Sequence, residues 1–413
     1  MKLGILLSGG KDSLYAAYIA KAYGMELTCA ISIFSQNTES YMFHTPHISG
    51  VRLQTEAMEI PLLEQETQGE KEKELVDLKR ALTRAKEKYG IEGITTGAVA
   101  SHYQSSRIQR ICFELGLYCF NPLWQINELT LLEQLLKHHF EVIFTGVFAY
   151  PLGEEWLGKQ LDKQSIAQLQ EYQNQYQLHP AGEGGELESY VLDCPLFKKK
   201  ISLDKVKKEY ENYAGVLRIT QAKLVEKEEQ QIQFSRLKGD PTSKTLILTT
   251  HSHDLYEQEF VRPIMDVVGM ADTKPLGLFS KEEEYEKIII TGCAVLDDAY
   301  LDEKKEELLS SNVPILGICA GASMFAQELT EQSEFGIYEL MFLEEQTLIR
   351  NVSKEQYFMH HLSIKKLPEE FIILARSAAG ISMFKHKTKE QYGVQFHPEV
   401  LGKNLLKKFV NQK

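Results

Sequence analysis

Short apolar runs alternate with helical patterns from the first residues onward. Residues 2–7 (KLGILL) are continuously apolar apart from Lys2 and Gly4 and stop at Ser8-Gly9-Gly10, the pattern of a buried parallel strand. Leu14, Ala17, Tyr18 and Lys21 follow at helical spacing, and the pattern ends near Gly24. The same reading predicts a strand at 27–34 (LTCAISIF), a Glu/Lys-rich helix at 70–88, a strand at 93–99 (GITTGAV) and a helix at 105–115. Strands alternating with helices predict a parallel sheet covered on both faces, an α/β doubly wound unit. From about residue 126 the texture changes to a helix at 130–138, a strand at 141–147, a Gln-rich helix at 163–177 and strand-like sequence over 201–225, the pattern of a small α+β subdomain.

Residues 226–244 (EKEEQQIQFSRLKGDPTSK) are polar and end in Gly-Asp-Pro, which marks a linker, although Ile232 and Phe234 could continue a strand. A second α/β unit begins at TLILTT (245–250), continues through KIIITG (287–292) and VPILGIC (313–319), and closes in short strands ending at YGVQFHPE. The predicted organisation is therefore 1–228 (parts 1–125 and 126–228), a linker at 229–244, and a second domain at 245–413.

Composition narrows the class of protein. With 413 residues, 43% hydrophobic and 25% charged, the chain has the make-up of a globular enzyme of two or three domains. The apolar stretch at the amino terminus stops at a glycine turn, and no run approaches the length of a membrane span, so a cytoplasmic location and no membrane partner are expected. Six cysteines without a C-x-x-C pair weigh against a structural zinc site or a disulfide framework. A net charge of −12 weighs against a long nucleic-acid track, and no nucleic-acid partner is expected.

Two places carry chemistry. Ser8-Gly9-Gly10-Lys11-Asp12-Ser13 lies between a strand and a helix. Glycines there let the backbone turn sharply and expose successive N–H groups beside a helix N-terminus, a cradle for phosphate. Lys11 can neutralise phosphate charge, Ser13 can hydrogen-bond it, and Asp12 is either a ligand or a helix cap. The spacing is not that of a Walker A loop. Further along, Glu183-Gly184-Gly185-Glu186 with Glu188 forms an acidic loop before an apolar strand; it could hold Mg²⁺ with phosphate oxygens or pair with a cationic group, helped by the aromatic faces of Tyr41, His44 and Trp156.

The second place is GICAGAS (317–323), which follows a Val/Ile/Leu strand and puts Cys319 on a tight strand-to-helix turn that favours an activated nucleophile. FHPE (396–399) supplies His397 and Glu399, completing a nucleophile, a base and a group that orients the base.

SGGKDS resembles the signature of the PP-loop ATP-pyrophosphatase superfamily, which implies a HUP-like, Rossmann-like fold and cleavage of ATP between the α and β phosphates. SYMFHTPH (40–47), GEKEKELVDLK (69–79), TTGAVASHYQSSRIQRIC (95–112), NPLW (121–124), EEWLGK (154–159) and AGEGGELESYVLDCPLF (181–197) together resemble the diphthine–ammonia ligase family. His102 departs from the polar charged residue expected there. The resemblance implies adenylation of the carboxylate of a modified histidine, diphthine, on elongation factor 2, with ATP and Mg²⁺ required, followed by displacement of AMP by ammonia. The same chemistry on a small-molecule carboxylate such as a corrinoid side chain, or on a transfer RNA, stays open.

From about residue 245 the chain resembles class I glutamine amidotransferases, on GICAGAS, MHHLSIKKLPEEFIILARS (359–377) and YGVQFHPEV (392–400), which implies a flavodoxin-like domain. In that resemblance Cys319 attacks the amide of glutamine, the nitrogen donor. His397 moves the proton, Glu399 holds the imidazole, and N–H groups of Ala320 and the Gly292-Cys293 turn form the oxyanion hole. Ser323 stands where the family has Gln, which implies a weaker hold on substrate glutamine. A glutaminase joined to an adenylating domain predicts delivery of ammonia by a shielded path, because in neutral water ammonia becomes mostly unreactive ammonium.

Overall fold

The first strand, β1 (Lys2–Leu6), buries Leu3 and Ile5 completely, as a strand covered on both faces must. The computed structural model describes residues 1–35, 48–69, 72–280, 284–302, 304–344 and 352–412. After β1 come α1 (Lys11–Ala22), β2 (Glu26–Ser35), α2 (Ile48–Met58), β3 (Leu62–Thr67), α3 (Lys73–Tyr89), β4 (Gly93–Thr95), α4 (His102–Glu114) and β5 (Tyr118–Phe120). The five strands form one sheet in the order β3-β2-β1-β4-β5, with β1 parallel to both β2 and β4. Strand order reverses at β1, so the loops leaving β1 and β4 part and open a crevice at their carboxyl ends, where ligands bind in such sheets. The strand expected over 93–99 stops at Thr95, because Gly97 is pressed against the start of α1; a Cβ on it would lie 2.6 Å from the carbonyl carbon of Asp12.

Helix α3 shows why its sequence is helical. Leu78, Ala81, Leu82 and Ala85 recur at helical spacing and are buried, and Gly90 caps the end in the left-handed region at φ 64°.

The chain clusters into two units, Met1–Ser101 with Cys119–Ser235, and His102–Tyr118 with Arg236–Lys413. The rest of the first unit consists of α5 (Glu128–Lys137), β6 (Glu141–Val147), α6 (Lys163–Tyr176), β7 (Leu187–Asp193), β8 (Lys199–Glu211) and β9 (Ala214–Glu226). These four strands make a sheet ordered β7-β6-β9-β8 with antiparallel pairing. Asp162 and Ser165 start α6 with a reciprocal capping box. Past β9, residues 227–243 form neither helix nor strand. Phe234 does not extend a strand; its ring packs 5.9 Å from Tyr23 and 5.6 Å from His138. The Tyr18 hydroxyl donates to the Gln233 carbonyl at 2.7 Å, which fixes this polar stretch to the first unit.

In the second unit, parallel strands run in the order Asp272–Pro275, Thr245–Thr249, Lys287–Ile290, Ile315–Ile318 and Gln391–Val394. Numbered along the chain these are 2-1-3-4-5, the flavodoxin-like order. The sheet continues antiparallel through Ile381–His386, Glu355–Lys366 and Glu328–Glu339. Helix α4 belongs to this unit. Ser105 Oγ lies 3.2 Å from the Tyr357 hydroxyl, Gln109 Nε2 donates to Glu259 at 3.0 Å, and the Phe113 ring rests against Phe335 and His361. Among the described residues, no helix is long and apolar enough to cross a membrane.

Candidate active sites

The loop after β1 is held by residues distant in sequence. Gly9 takes φ 86°, a conformation that disfavours any side chain, and a buried Gln54 on α2 donates to both the Gly9 and Val191 carbonyls at 2.9 Å. Ser13 Oγ donates to the Gly10 carbonyl at 3.1 Å and lies 3.2 Å from Ser8 Oγ. The Lys11 N–H donates to Ser189 Oγ at 3.2 Å. Lys11 Nζ is buried and bonded to the Ala181 carbonyl at 2.5 Å and to Asp12 at 2.9 Å. Asp12 is therefore an ion-pair partner, and α1 has no side-chain cap.

These groups border a cavity of about 140 Å³ whose walls include Ser8, Gly10, Lys11, Asp12, Glu183 and Glu188. Burial pushes the Glu188 carboxyl up to about 7. Burial, with the nearby charge of Asp12, likewise lifts Glu183 to about 7, against the opposing pull of Lys11. Asp12 Oδ1 and Glu188 Oε2 are buried without a hydrogen-bond partner. Unpaired carboxylate oxygens beside the Ser8–Ser13 loop suit a hard cation, although among the described residues no three ligating side chains converge. Mg²⁺ bound with ATP needs only one or two protein carboxylates, so Asp12 and Glu188 fit it.

The second constellation sits at the carboxyl end of Ile315–Ile318. Cys319 adopts φ 51°, ψ −105°, a strained position for a residue with a side chain. Two glycines permit the turn: a Cβ on Gly317 would lie 2.4 Å from the Gly321 carbonyl oxygen, and one on Gly321 would lie 2.5 Å from that of Ile290. His397 Nδ1 is 2.7 Å from Glu399 Oε1, and both side chains are buried. Burial disfavours the imidazolium, but the charges of Glu399 and Cys319 outweigh it and hold His397 well above the ordinary histidine range. A Cβ on Gly292 would lie 2.8 Å from His397 Cε1 and 3.4 Å from Cys319 Cβ, so the Gly292-Cys293 turn borders both side chains. Cys293 directs its own thiol to the Ala294 and Asp297 carbonyls, as a buried packing residue does.

Residues 1–119 match the diphthamide synthase N-terminal domain, 127–225 the diphthamide synthase C-terminal domain, and 268–413 the class-I glutamine amidotransferase domain. The diphthine–ammonia ligases of Bos taurus and Homo sapiens are each 35% identical over 223 residues, covering 49% of this chain and 83% of theirs. The chain belongs to the diphthine–ammonia ligase family. It is an ATP-dependent ligase that carries a glutamine amidotransferase domain. A glutamine amidotransferase of Thermotoga maritima is 17% identical in structural superposition, with a TM-score of 0.34, covering 41% of this chain and 98% of that one.

For this ligase the sequence motifs fall into two groups on the structure. Ser8, Gly10, Lys11, Asp12, Glu183 and Glu188 converge on one cavity, and Cys319, Ala320 and Cys293 share another. Glu186 does not line the first cavity; its Oε1 accepts the His179 N–H at 3.4 Å, and Gly184 and Gly185 serve the turn between the acids. Trp156 corrects the expectation of a ligand-facing ring. It is fully buried against Phe144, with Lys159 Nζ 4.1 Å from its ring centre. Tyr41 and His44 lie outside the described residues.

Sequence reasoning missed Thr145 and Ser189 in the first cavity and Tyr300 and His360 in the second. Ser189 stands inside the quoted GELESYV run, and His360 inside MHHLS, so for these two the motif was visible though the residue was not singled out. Ser323 bonds the Cys319 carbonyl at 3.3 Å and accepts from Gln395 Nε2 at 3.1 Å, which ties it to the residue two before His397.

Proposed function

We propose that this chain converts a carboxylate into a primary amide, taking the nitrogen from glutamine. ATP would bind with its phosphates on the Ser8–Ser13 loop, the acceptor carboxylate would attack the α-phosphorus, and pyrophosphate would leave, giving an acyl-adenylate. Lys11 and the loop N–H groups stabilise the charge on phosphate oxygens. Asp12 and Glu188 would hold Mg²⁺, which neutralises phosphate charge when bound.

In the second unit Cys319 Sγ attacks the glutamine amide carbon and His397 takes the thiol proton. The oxyanion is received by N–H groups of Ala320 and the Gly292-Cys293 turn. His397 then protonates the departing ammonia, and water hydrolyses the glutamyl thioester. Ammonia displaces AMP from the acyl-adenylate, releasing one proton. Glu399 keeps the imidazole in the needed tautomer and supports its cation.

The acceptor this reading favours is diphthine on elongation factor 2, making the chain a glutamine-dependent diphthine–ammonia ligase. The observation that carries the reading is the coexistence on one chain of the Ser8–Ser13 loop with its buried Lys11 paired to Asp12 and the Cys319, His397 and Glu399 set. The test is a single incubation with ATP, Mg²⁺, amide-¹⁵N glutamine and diphthine-bearing elongation factor 2. The expected outcome is one ¹⁵N in the factor per AMP formed. Cys319→Ala should abolish transfer from glutamine and keep transfer from ammonium salts. Loss of both would overturn the division of labour, and absence of label in the factor would overturn the acceptor.

A further inference from the structure

Beyond the phosphate cavity, three elements of the first unit bring exposed tyrosines together. Tyr150 lies just past the end of β6, Tyr176 is the last residue of α6, and Tyr213 sits in the turn between β8 and β9. The Tyr150 ring is edge-to-face with Tyr176 at 5.1 Å and with Tyr213 at 5.0 Å. They remain 55%, 43% and 47% exposed in the order Tyr150, Tyr176, Tyr213. The turn makes the cluster unusual. Asn212 and Tyr213 both have positive φ, 49° and 61°, where a hairpin turn normally carries Asn and Gly. A tyrosine strains this position, and what it adds is a ring at the surface.

The aromatic series runs inward, from Tyr176 to Tyr172 at 6.1 Å and from Tyr172 to Trp156 at 6.0 Å. Its inner end already holds a cation: Lys159 Nζ lies on the Trp156 ring and is steadied by Gln168 Oε1 at 2.7 Å. At the outer end, among the described residues, no lysine or arginine lies over the three tyrosines. Exposed acidic residues lie close in sequence, Glu154 and Glu155 after Tyr150-Pro151, Glu171 on α6 and Glu211 beside the hairpin turn, and the Glu171 charge acts on Tyr176. The cluster also connects to the acidic loop, because the Phe148 N–H donates to the Glu186 carbonyl at 2.9 Å.

We propose that Tyr150, Tyr176 and Tyr213 form a binding face for a quaternary ammonium group of the acceptor. The inference rests on the ligase reading above and gives it a recognition element. A trimethylammonium group is large, diffuse and weakly hydrated, so ring faces and peripheral carboxylates hold it without hydrogen bonds. Anchored there, the acceptor would be selected by its cation while the ATP chemistry acts on its carboxylate. Trp156, which the sequence named with Tyr41 and His44, serves the same series from inside.

The test uses the full-length protein with choline and its neutral isostere 3,3-dimethylbutanol as probes, followed by ligand-detected NMR titration. Choline should bind at least about threefold more tightly than the isostere. Tyr150→Ala and Tyr213→Asn should each weaken choline about threefold to tenfold, and Tyr150→Phe should retain binding. Tyr213→Asn removes the ring while relieving backbone strain, so its loss of binding is not a loss of folding; a thermal melt checks this. With diphthine-bearing acceptor, the same variants should raise KM more than they lower kcat. Equal binding of choline and isostere, choline binding indifferent to both variants, or an unchanged KM would each overturn the proposal while leaving the ligase reading intact. Choline binding that depends on the tyrosines, in an enzyme that fails to amidate diphthine, would sustain the cation face and overturn the ligase reading.

Discussion

Glu183 and Glu188 carry the phosphate cavity's response to pH. Both carboxyls sit near 7 in the folded chain, against an ordinary 4.5. Between those values the native state binds more protons at these two groups than the unfolded state does, so their contribution to stability is fully present below 4.5, is lost as pH rises toward about 7, and is flat above. Glu188→Gln should remove part of this slope and stabilise the ligand-free protein above neutrality by up to roughly 3 kcal/mol, read from denaturant melts across pH. In the proposed reading Mg²⁺–ATP is held by an ionised Glu188 with Asp12, so its binding should release protons below neutrality; calorimetry in buffers of different ionisation enthalpy measures this. At this scale the convergence of the Ser8–Ser13 loop with Glu183 and Glu188 and the pairing of His397 with Glu399 were legible because they are packed into short motifs. Trp156 was misassigned because burial depends on Phe144 and Tyr172, which no local pattern reveals. Gln54 escaped notice for the same reason: its partners Gly9 and Val191 are distant in sequence.

The turns, more than the strands, set the sites. Gly321 lets the nucleophile turn pass beneath the Ile290 carbonyl, and Gly321→Ala should cost about 1–3 kcal/mol and abolish glutamine hydrolysis, measured by melts and glutamate release. Gly97 plays the same part for the start of α1. Gly97→Ala should displace the phosphate loop and raise the KM for ATP by on the order of tenfold or more. The parallel strands were readable because burial on both faces leaves unbroken apolar runs such as KLGILL and TLILTT. Strand β4 was overextended, since GITTGAV reads as strand beyond Thr95 until Gly97 is placed against Asp12. Residues 226–244 were read as a linker in which Phe234 could continue a strand, because an isolated aromatic in a polar stretch cannot announce that it packs on Tyr23 and His138.

Over the whole molecule, the path of the chain matters more than either unit's architecture. Two α/β domains in series were legible, but the membership of α4 in the second unit was not, because its partners lie at Glu259, Phe335, Tyr357 and His361. A fragment spanning Arg236–Lys413 lacks α4 and leaves Glu259 and Tyr357 without these bonds. It should melt several degrees below the same unit in the full chain, and a peptide covering His102–Tyr118 should raise its melting temperature in a concentration-dependent way.

That membership has a consequence for how the protein is made. Helix α4 ends at Glu114, whereas the strand it packs on begins only at Glu328. At ~5–20 residues per second, a ribosome needs on the order of ten to forty seconds to cover that interval. Throughout it the nascent chain carries Phe113 on a helix whose ring partners Phe335 and His361 have not yet been synthesised. This helix is where a chaperone that recognises short apolar segments would meet the growing polypeptide, and slowing translation after Glu114 should prolong that encounter.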